Sequence, residues 1–514
     1  MNSSAHVTGK SSGMRHIVIV GCALFVTLAV FNCAWVSEDS FITFRYVSNT
    51  LNGYGAVFNA EEYVQGYTHP LWFILLVVGC AIVSDPIFVA IGYGLICTFL
   101  TVMLLGYTLY RLTKHTTGSI VLLALASISW SLSDPWLSFQ TSGLENSLSH
   151  LLITLILIET CVQTISRPAR LTLLICLLCL NRPDFLFLIL PIGVFMVGRI
   201  RSFRTAGTMA LAALPAVAWL LFAWTYYHHV IPNTAYAKVG IYSNWIAAST
   251  QGFAYLGDWG VYDTVAMGCT VLFLTIAPIL FRSKYTILCI AGTILYSTWV
   301  VYVGGDFMRG RMMTAVFNTA VVLGIIAIAM KMRDTNRVPI AYTFLVGGVI
   351  TGLIVVRLFI PDPGARIKEN GIINERKCYP GYHLSSYIEL GQLINPYMDL
   401  SFANALRSYA EKCGPVTIHH RNPGTIGYLA GPKVSIIDTL GLTDAYIARL
   451  PRHFLVSTHP RPGHPDKYIP IAYLAAREDI AILPGWEIAV MNGDCSLTAK
   501  LEQYKKNTGF LRPY

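Results

Sequence analysis

Between residues 17 and 359 the chain is dominated by apolar runs, most of them close to the roughly 20 residues a helix needs to cross the hydrocarbon core of a bilayer. The runs lie at 17–36, 87–110, 117–133, 144–165, 171–183, 185–198, 207–226, 263–281, 285–303, 313–331 and 339–359. In lipid, only helices and closed barrels satisfy their own backbone polar groups, and runs of this length read as helices. A chain that is 54% hydrophobic and 12% charged fits no soluble multidomain enzyme. Its aromatic content and its glycines without a fixed period exclude disorder and collagen-like repeats. The expected fold is an all-α polytopic membrane domain over residues 1–360, with eleven transmembrane helices plus interfacial ones. A small extracytoplasmic α/β or α+β domain over 361–514 follows.

The first run comes after Lys10 and Arg15, which suits a spanning helix whose N-terminus stays inside. A cleaved signal peptide would have a shorter apolar run, and no small-x-small site precedes Ser37-Glu38-Asp39. Counting spans from there puts Arg111, Lys114, Arg167, Arg170, Arg199, Arg201, Arg204, Arg282, Lys284, Lys331, Arg333 and Arg337 all on the inner side. That pattern requires 70–84 to lie in the outer interface rather than span. The net charge of +10 is thus read as loop and lipid contacts, and nucleic acid is not an expected partner.

The segments rich in polar residues then share the outer side: 37–69, 134–145, 181–184, 227–258, 304–311 and everything after 360. The tail carries turn signals such as Asn422-Pro423-Gly424 and short apolar runs at 434–437 and 480–483, and a Pro-rich joint at 361–364 attaches it. No C-x-x-C pair occurs in the tail, and Cys176 and Cys179 sit within an apolar helix as packing residues. Cys378, Cys413 and Cys495 allow one disulfide and leave one thiol over, without specifying the pair.

Several constellations carry chemistry. Glu38 and Asp39 follow the first span, and adjacent carboxylates raise the pKa of at least one of them, as a general base or a ligand for a cationic group requires. The same pair reads equally as an acidic helix start capped by Ser37. Tyr67, His69 and Trp72 offer hydroxyl, imidazole and aromatic faces suited to a sugar, or a membrane-interface anchor. Glu145 opens a span, and Arg182 and Asp184 interrupt a long apolar stretch, either as a salt bridge holding a hairpin tip or as functional charge. Asp306, Arg309 and Arg311 lie in a glycine-flanked turn, where planar guanidinium groups can grip a phosphate. Lys238, after Asn233, is a further cation, and any of these cations also suits an ordinary lipid headgroup. No G-x-S-x-G, H-E-x-x-H, zinc-finger or dinucleotide fingerprint is present.

Taken in order, Glu38-Asp39-Ser40-Phe41-Ile42-Thr43-Phe44-Arg45-Tyr46, Gly66-Tyr67-Thr68-His69-Pro70-Leu71-Trp72, Thr141-Ser142-Gly143-Leu144-Glu145, Asn181-Arg182-Pro183-Asp184, Pro232-Asn233-Thr234 and Gly304-Gly305-Asp306-Phe307-Met308 resemble the membrane-embedded C-type (GT-C) glycosyltransferases. Within these the likeness is to the terminal arabinofuranosyltransferases of mycobacterial cell-wall assembly and the related pilin arabinosyltransferases. It resumes at 438–444 and at Arg461-Pro462-Gly463-His464. The resemblance implies a polyprenyl-phosphate sugar donor, a glycan or protein acceptor, and an active site on the outer face of a bacterial plasma membrane.

On this resemblance Asp39 is the expected base and Glu38 its partner, a departure from the pair of aspartates usual in the family. Arg309, Arg311, Lys238 and Arg182 are expected to hold the donor phosphate. Tyr67, His69, Trp72, Glu145, Asp184, Asn233, Asp306 and Arg45 are expected to contact sugar or acceptor. A divalent cation is the one candidate cofactor. A lipid-linked-sugar transporter would show internal repeats and helices broken at mid-membrane, and no repeat is found. A non-catalytic glycan scaffold would keep the aromatics without needing Glu38 and Asp39.

Overall fold

The computed structural model describes residues 4–113, 116–238, 241–335, 340–360, 364, 370–395, 400–457 and 461–508. Lys114, Arg337, Pro361, Asp362 and Pro363 lie outside the described residues, as do the side chains of Lys10 and Arg15. Each of the eleven apolar runs falls on a helix. The chain opens with α1 (Ser4–Phe31), α2 (Ser40–Leu51), α3 (Pro70–Cys80), α4 (Pro86–Leu112), α5 (Thr116–Ser131) and α6 (Asp134–Phe139). Then come α7 (Asn146–Leu157), extended by a π turn to Val162, α8 (Pro168–Asn181), α9 (Leu186–Val197), α10 (Phe203–Tyr226) and α11 (Asn233–Lys238). The helical series closes with α12 (Trp245–Tyr262), α13 (Thr264–Leu280), α14 (Lys284–Tyr302), α15 (Met313–Thr335) and α16 (Ile340–Leu358).

By length and composition α4, α10, α14 and α15 can each cross a membrane, and α12 with α13 would add a fifth span if their 102° elbow is counted as one. The remaining apolar helices are shorter. Helix α15 is the shaft of the bundle, with every apolar residue from Met313 to Met332 buried. Around it pack α13, α7 and α5, with α1 on α4, α9 on α14 and α8 on α10. Helix α3 has eleven residues and buries Trp72, Phe73 and Leu76 while exposing Ile74 and Val78.

Within the polar segment 227–258 and just beyond it, Trp245–Tyr262 forms an 18-residue helix. Asn244 caps it, its side chain accepting from Ala247 N at 2.9 Å. Gly252 lets it approach the backbone of Val301 so closely that a Cβ would clash.

The C-terminal part is built from α17 (Glu375–Cys378), α18 (Leu384–Leu390), α19 (Ser401–Cys413), β1 (Val416–His420), α20 (Pro423–Ala430) and β2 (Val434–Asp438), followed by short helical turns and a 12-residue helix, Leu497–Thr508. The strands pair in parallel from Val416↔Val434 to His420↔Asp438, with α20 as the crossover. The run at 480–483 is a 3₁₀ turn over Ile480–Ile482, because Asp479 caps it onto Ala481 N at 2.8 Å. Cys413 pairs with Cys495, and Cys378 is buried with Trp35 and Met308.

This part sits against the end of the bundle where α1 stops and α15 starts. Backbone bridges join Trp35 to His383 and Met308 to Ile373. Arg45 of α2 donates from three guanidinium nitrogens to the carbonyls of Phe58, Gly427 and Val434, each at 2.6 Å.

Candidate active site

The loop between α1 and α2 is held from both sides. Val36 N donates to Tyr382 O at 3.1 Å and Ser37 N to Ser142 O at 2.8 Å. Asp39 occupies the N-cap position of α2 and makes no side-chain cap hydrogen bond, so the acidic pair is not a simple capping device. Its carboxylate is turned instead to His464, whose Nε2 stands 3.3 Å from Oδ1. Burial alone would raise Asp39, but His464, Lys238 and Arg311 outweigh it and hold the carboxylate well below its ordinary range.

Glu38 faces the other way. Its Oε1 accepts from Thr425 N at 3.0 Å, at the start of α20, and a side chain on Gly424 would begin 2.6 Å from that oxygen. Burial, then the neighbouring Asp39 charge, pushes Glu38 up to about 8 despite the amide N–H of Thr425. At neutral pH one carboxyl of the pair is therefore an acid and the other a carboxylate, a separation typical of divided roles in an active site.

The second focus is Glu145, buried in front of α7. Its Oε1 receives Arg311 Nη2 at 3.0 Å and Arg182 Nη1 at 3.3 Å, while His69 Nδ1 lies 3.2 Å from Oε2. Arg182 also grips Asp184 through two bonds, at 2.9 and 2.6 Å. The hairpin tip is thus a salt bridge that shares its arginine with the cluster. Arg311 has Asp306 at 3.7 Å as a further neighbour. Gly463, at φ +73°, lies so close that a Cβ on it would be 3.5 Å from Lys238 Nζ and 3.8 Å from Asp306 Oδ1. Asp39, His69, Glu145, Arg182, Asp184, Lys238, Asp306 and Arg311 are therefore brought together.

The other expected residues are placed elsewhere. Arg309 points away from the cluster, its Nε 2.7 Å from Asp258 Oδ2 and its guanidinium 4.4 Å over the Tyr262 ring. Trp72 is buried, donating to Gly143 O at 2.9 Å, and so fixes the loop that carries Glu145. Tyr67 is buried against Tyr46 and Phe73, with its hydroxyl 3.0 Å from that of Tyr227. Asn233 donates to the carbonyls of Gly441, Leu442 and Asp444. Arg45 is the interior clamp already described. Among the described residues no group of three or more His, Cys, Asp or Glu side chains is arranged to hold a metal ion.

Two participants were not singled out as site residues. His464 belongs to the Arg461-Pro462-Gly463-His464 segment, whose signal was only its likeness to the family. Arg461 stacks over Phe307 at 4.2 Å, and Phe307 packs edge-on against His464 at the same centroid distance. Glu375 accepts from Glu38 N at 3.3 Å, and burial, then the Asp39 charge, holds it well above the usual carboxylate range. Nothing in its local sequence marks it. Asp438 organises the 438–444 loop by accepting from the amides of Leu440 and Thr443, both at 2.9 Å.

No protein-family model matches the chain. Over 403 residues it is 26% identical to the terminal beta-(1->2)-arabinofuranosyltransferase of Mycobacterium tuberculosis, covering 67% of this chain and 62% of that protein. Over 560 aligned positions it is 24% identical to the protein of the same name from Corynebacterium glutamicum, covering 93% and 80%. The match thus spans less than two thirds of the mycobacterial relative's length.

Proposed function

We infer that this chain, a member of the family of its mycobacterial and corynebacterial arabinofuranosyltransferase relatives, moves D-arabinofuranose from a polyprenyl-phosphate donor to an acceptor hydroxyl outside the cytoplasm. The acceptor is a cell-wall polysaccharide or a pilin-type surface protein. A glycosyltransferase role follows from the family. The eleven-span GT-C arrangement, the division at residue 360, and a site and C-terminal domain facing outward from the bacterial inner membrane belong to the same proposal.

The observation that carries the reading is the meeting of an ionised Asp39 with Arg311 and Lys238, its attractive neighbours after His464. In the transfer, Asp39 accepts the proton of the acceptor hydroxyl, and the acceptor oxygen bonds to the anomeric carbon. The bond from that carbon to the phosphate oxygen breaks, and its electron pair leaves on the phosphate. Arg311 and Lys238 offset the charge that grows there, with Arg182 behind them on Glu145. Asp39 is a weak base while those cations face it. A donor phosphate that draws them onto itself relieves the stabilisation and makes Asp39 more basic when the acceptor is present. The prenyl chain runs along the apolar helix surfaces.

The test is incubation of the purified protein with radiolabelled polyprenyl-phosphate arabinose and each acceptor class. Label should pass to one of them in the wild type and not in Asp39→Asn. Failure of the folded wild type to label either acceptor would sink the proposal.

A further inference from the structure

His69 stands between the two halves of the site. It occupies the N-cap position of α3 and is only 7% exposed. Its Nε2 lies 2.8 Å from Thr43 Oγ1, on α2 one helical turn beyond Asp39. Its Nδ1 lies 3.2 Å from Glu145 Oε2, in front of α7. That second contact falls short of an aligned hydrogen bond, and neither atom has a hydrogen-bond partner among the described residues. Two buried polar atoms that face each other unpaired are unfavourable, and a charged imidazole, which donates from both nitrogens, would satisfy them.

As the cluster stands, Glu145 is already offset, with Arg311 Nη2 at 3.0 Å and Arg182 Nη1 at 3.3 Å on its other oxygen. Burial lowers the His69 pKa below its ordinary value. Glu145 opposes burial, Arg311 and Arg182 add to it, and Asp39 opposes it in turn. Tyr67, whose ring lies 6.1 Å away on the same segment, stays neutral because burial raises its hydroxyl pKa. A donor phosphate that draws Arg311 onto itself leaves Glu145 with Arg182, which is tied to Asp184 by two bonds, at 2.9 and 2.6 Å. It also adds a negative charge to the same cluster. Both changes favour the charged imidazole.

We propose that His69 takes up a proton from solvent when the donor binds, replacing on Glu145 the charge that Arg311 gives to the phosphate. The proposal rests on polyprenyl-phosphate arabinose as the donor. It makes His69 a positioning residue that holds Glu145, and through Thr43 the first turns of α2, once Arg311 has changed partner. The proton returns to solvent when the phosphate leaves. Because His69 binds the proton more tightly with donor present, donor affinity rises as pH falls through the donor-bound pKa. It levels off below the donor-free pKa, which lies under the ordinary 6.5.

In the experiment, wild type, His69→Gln and Glu145→Gln in detergent are titrated with polyprenyl-phosphate arabinose, without acceptor. Isothermal titration calorimetry in two buffers of different ionisation enthalpy, at one pH, reads the protons exchanged. The wild type should bind with uptake of up to about one proton per donor, and its affinity should gain at most about tenfold per unit of acidification. His69→Gln, which cannot titrate, should bind without uptake and lose that gain. Glu145→Gln removes the carboxylate to be balanced and should also show no uptake, so either variant serves if circular dichroism shows the other to be misfolded. Wild-type binding without uptake would overturn the role of His69. So would uptake in His69→Gln equal to that of the wild type, which would place the proton on another group such as His464. A folded wild type that binds no donor would overturn the donor site itself, and this proposal with it.

Discussion

Glu38 and Asp39 are neighbours in sequence whose environments differ because one side chain meets a helix start and the other a histidine. Asp39→Asn preserves size and removes charge and basicity, so turnover should fall by at least about 100-fold, the usual scale for a general base, with expression preserved. Near-native turnover would return Asp39 to a structural role. Glu38→Gln resembles the protonated acid already present at neutral pH and should be mild there. The sign of its pH effect follows from linkage. The folded pKa lies near 8 against an ordinary 4.5, so Glu38 contributes stability that is complete below 4.5 and is lost as pH rises through 8. Wild-type melting temperature should therefore drop between about pH 4.5 and 8 more steeply than that of Glu38→Gln. Parallel curves for the two would remove Glu38 as the cause. The two arginines of the turn separate in the same way. Arg311→Lys loses the fork that meets Glu145 and should raise the apparent KM for the donor, whereas Arg309→Lys, held at Asp258, should leave it unchanged.

Among the elements, the helices were legible because an apolar run long enough to cross lipid has few alternatives, and all eleven runs fall on helices. The Asn181-Arg182-Pro183-Asp184 tip was legible too, since charges inside apolar sequence must find partners and these two find each other. The purposes of Tyr67, Trp72 and Arg45 were not. An aromatic ring or a guanidinium looks the same in sequence whether it faces a sugar or a carbonyl, and only the folded chain brings Gly427 and Val434 to Arg45. That clamp joins α2 to the middle of α20 and the start of β2. Arg45→Met keeps the apolar stem and takes the guanidinium from the carbonyls of Gly427 and Val434, while Phe58 O keeps Asn49 Nδ2 at 3.0 Å, at roughly 1–3 kcal/mol for each unsatisfied group. Loss of several kcal/mol should appear as early proteolysis of the C-terminal part under conditions where α4 and α15 stay intact. Resistance equal to wild type would mean that the 45-to-427 contact contributes little to docking.

At the scale of the whole molecule, the site lies where a chain-distant loop closes onto the turn between α1 and α2. His464 and Asp39 are 425 residues apart in sequence, which is why local pattern could not pair them. The same closure sets a direction. Helix α15 starts two residues after Arg311 and ends beyond Lys331, so the charged cluster around Glu145 and the basic residues occupy opposite ends of one buried shaft. Antiparallel neighbours repeat this. Arg199, after α9, donates to Tyr285 at the start of α14, and Tyr285 donates to Thr164 O before α8, both at 3.1 Å. Basic loops are retained on the cytoplasmic side, so the end that carries Asp39 and His464 should face outward. The C-terminal part packs on that end through Arg45 and Glu38, and it must follow the site to whichever side the site takes. A reporter that is active only outside the cytoplasm, fused after Tyr514, should therefore be active, and a cysteine placed at the exposed Arg201 should react only with membrane-permeant reagents. Cytoplasmic activity of the reporter, with outside labelling at position 201, would invert the molecule and put the polyprenyl-phosphate donor on the wrong side of the membrane for the proposed reaction.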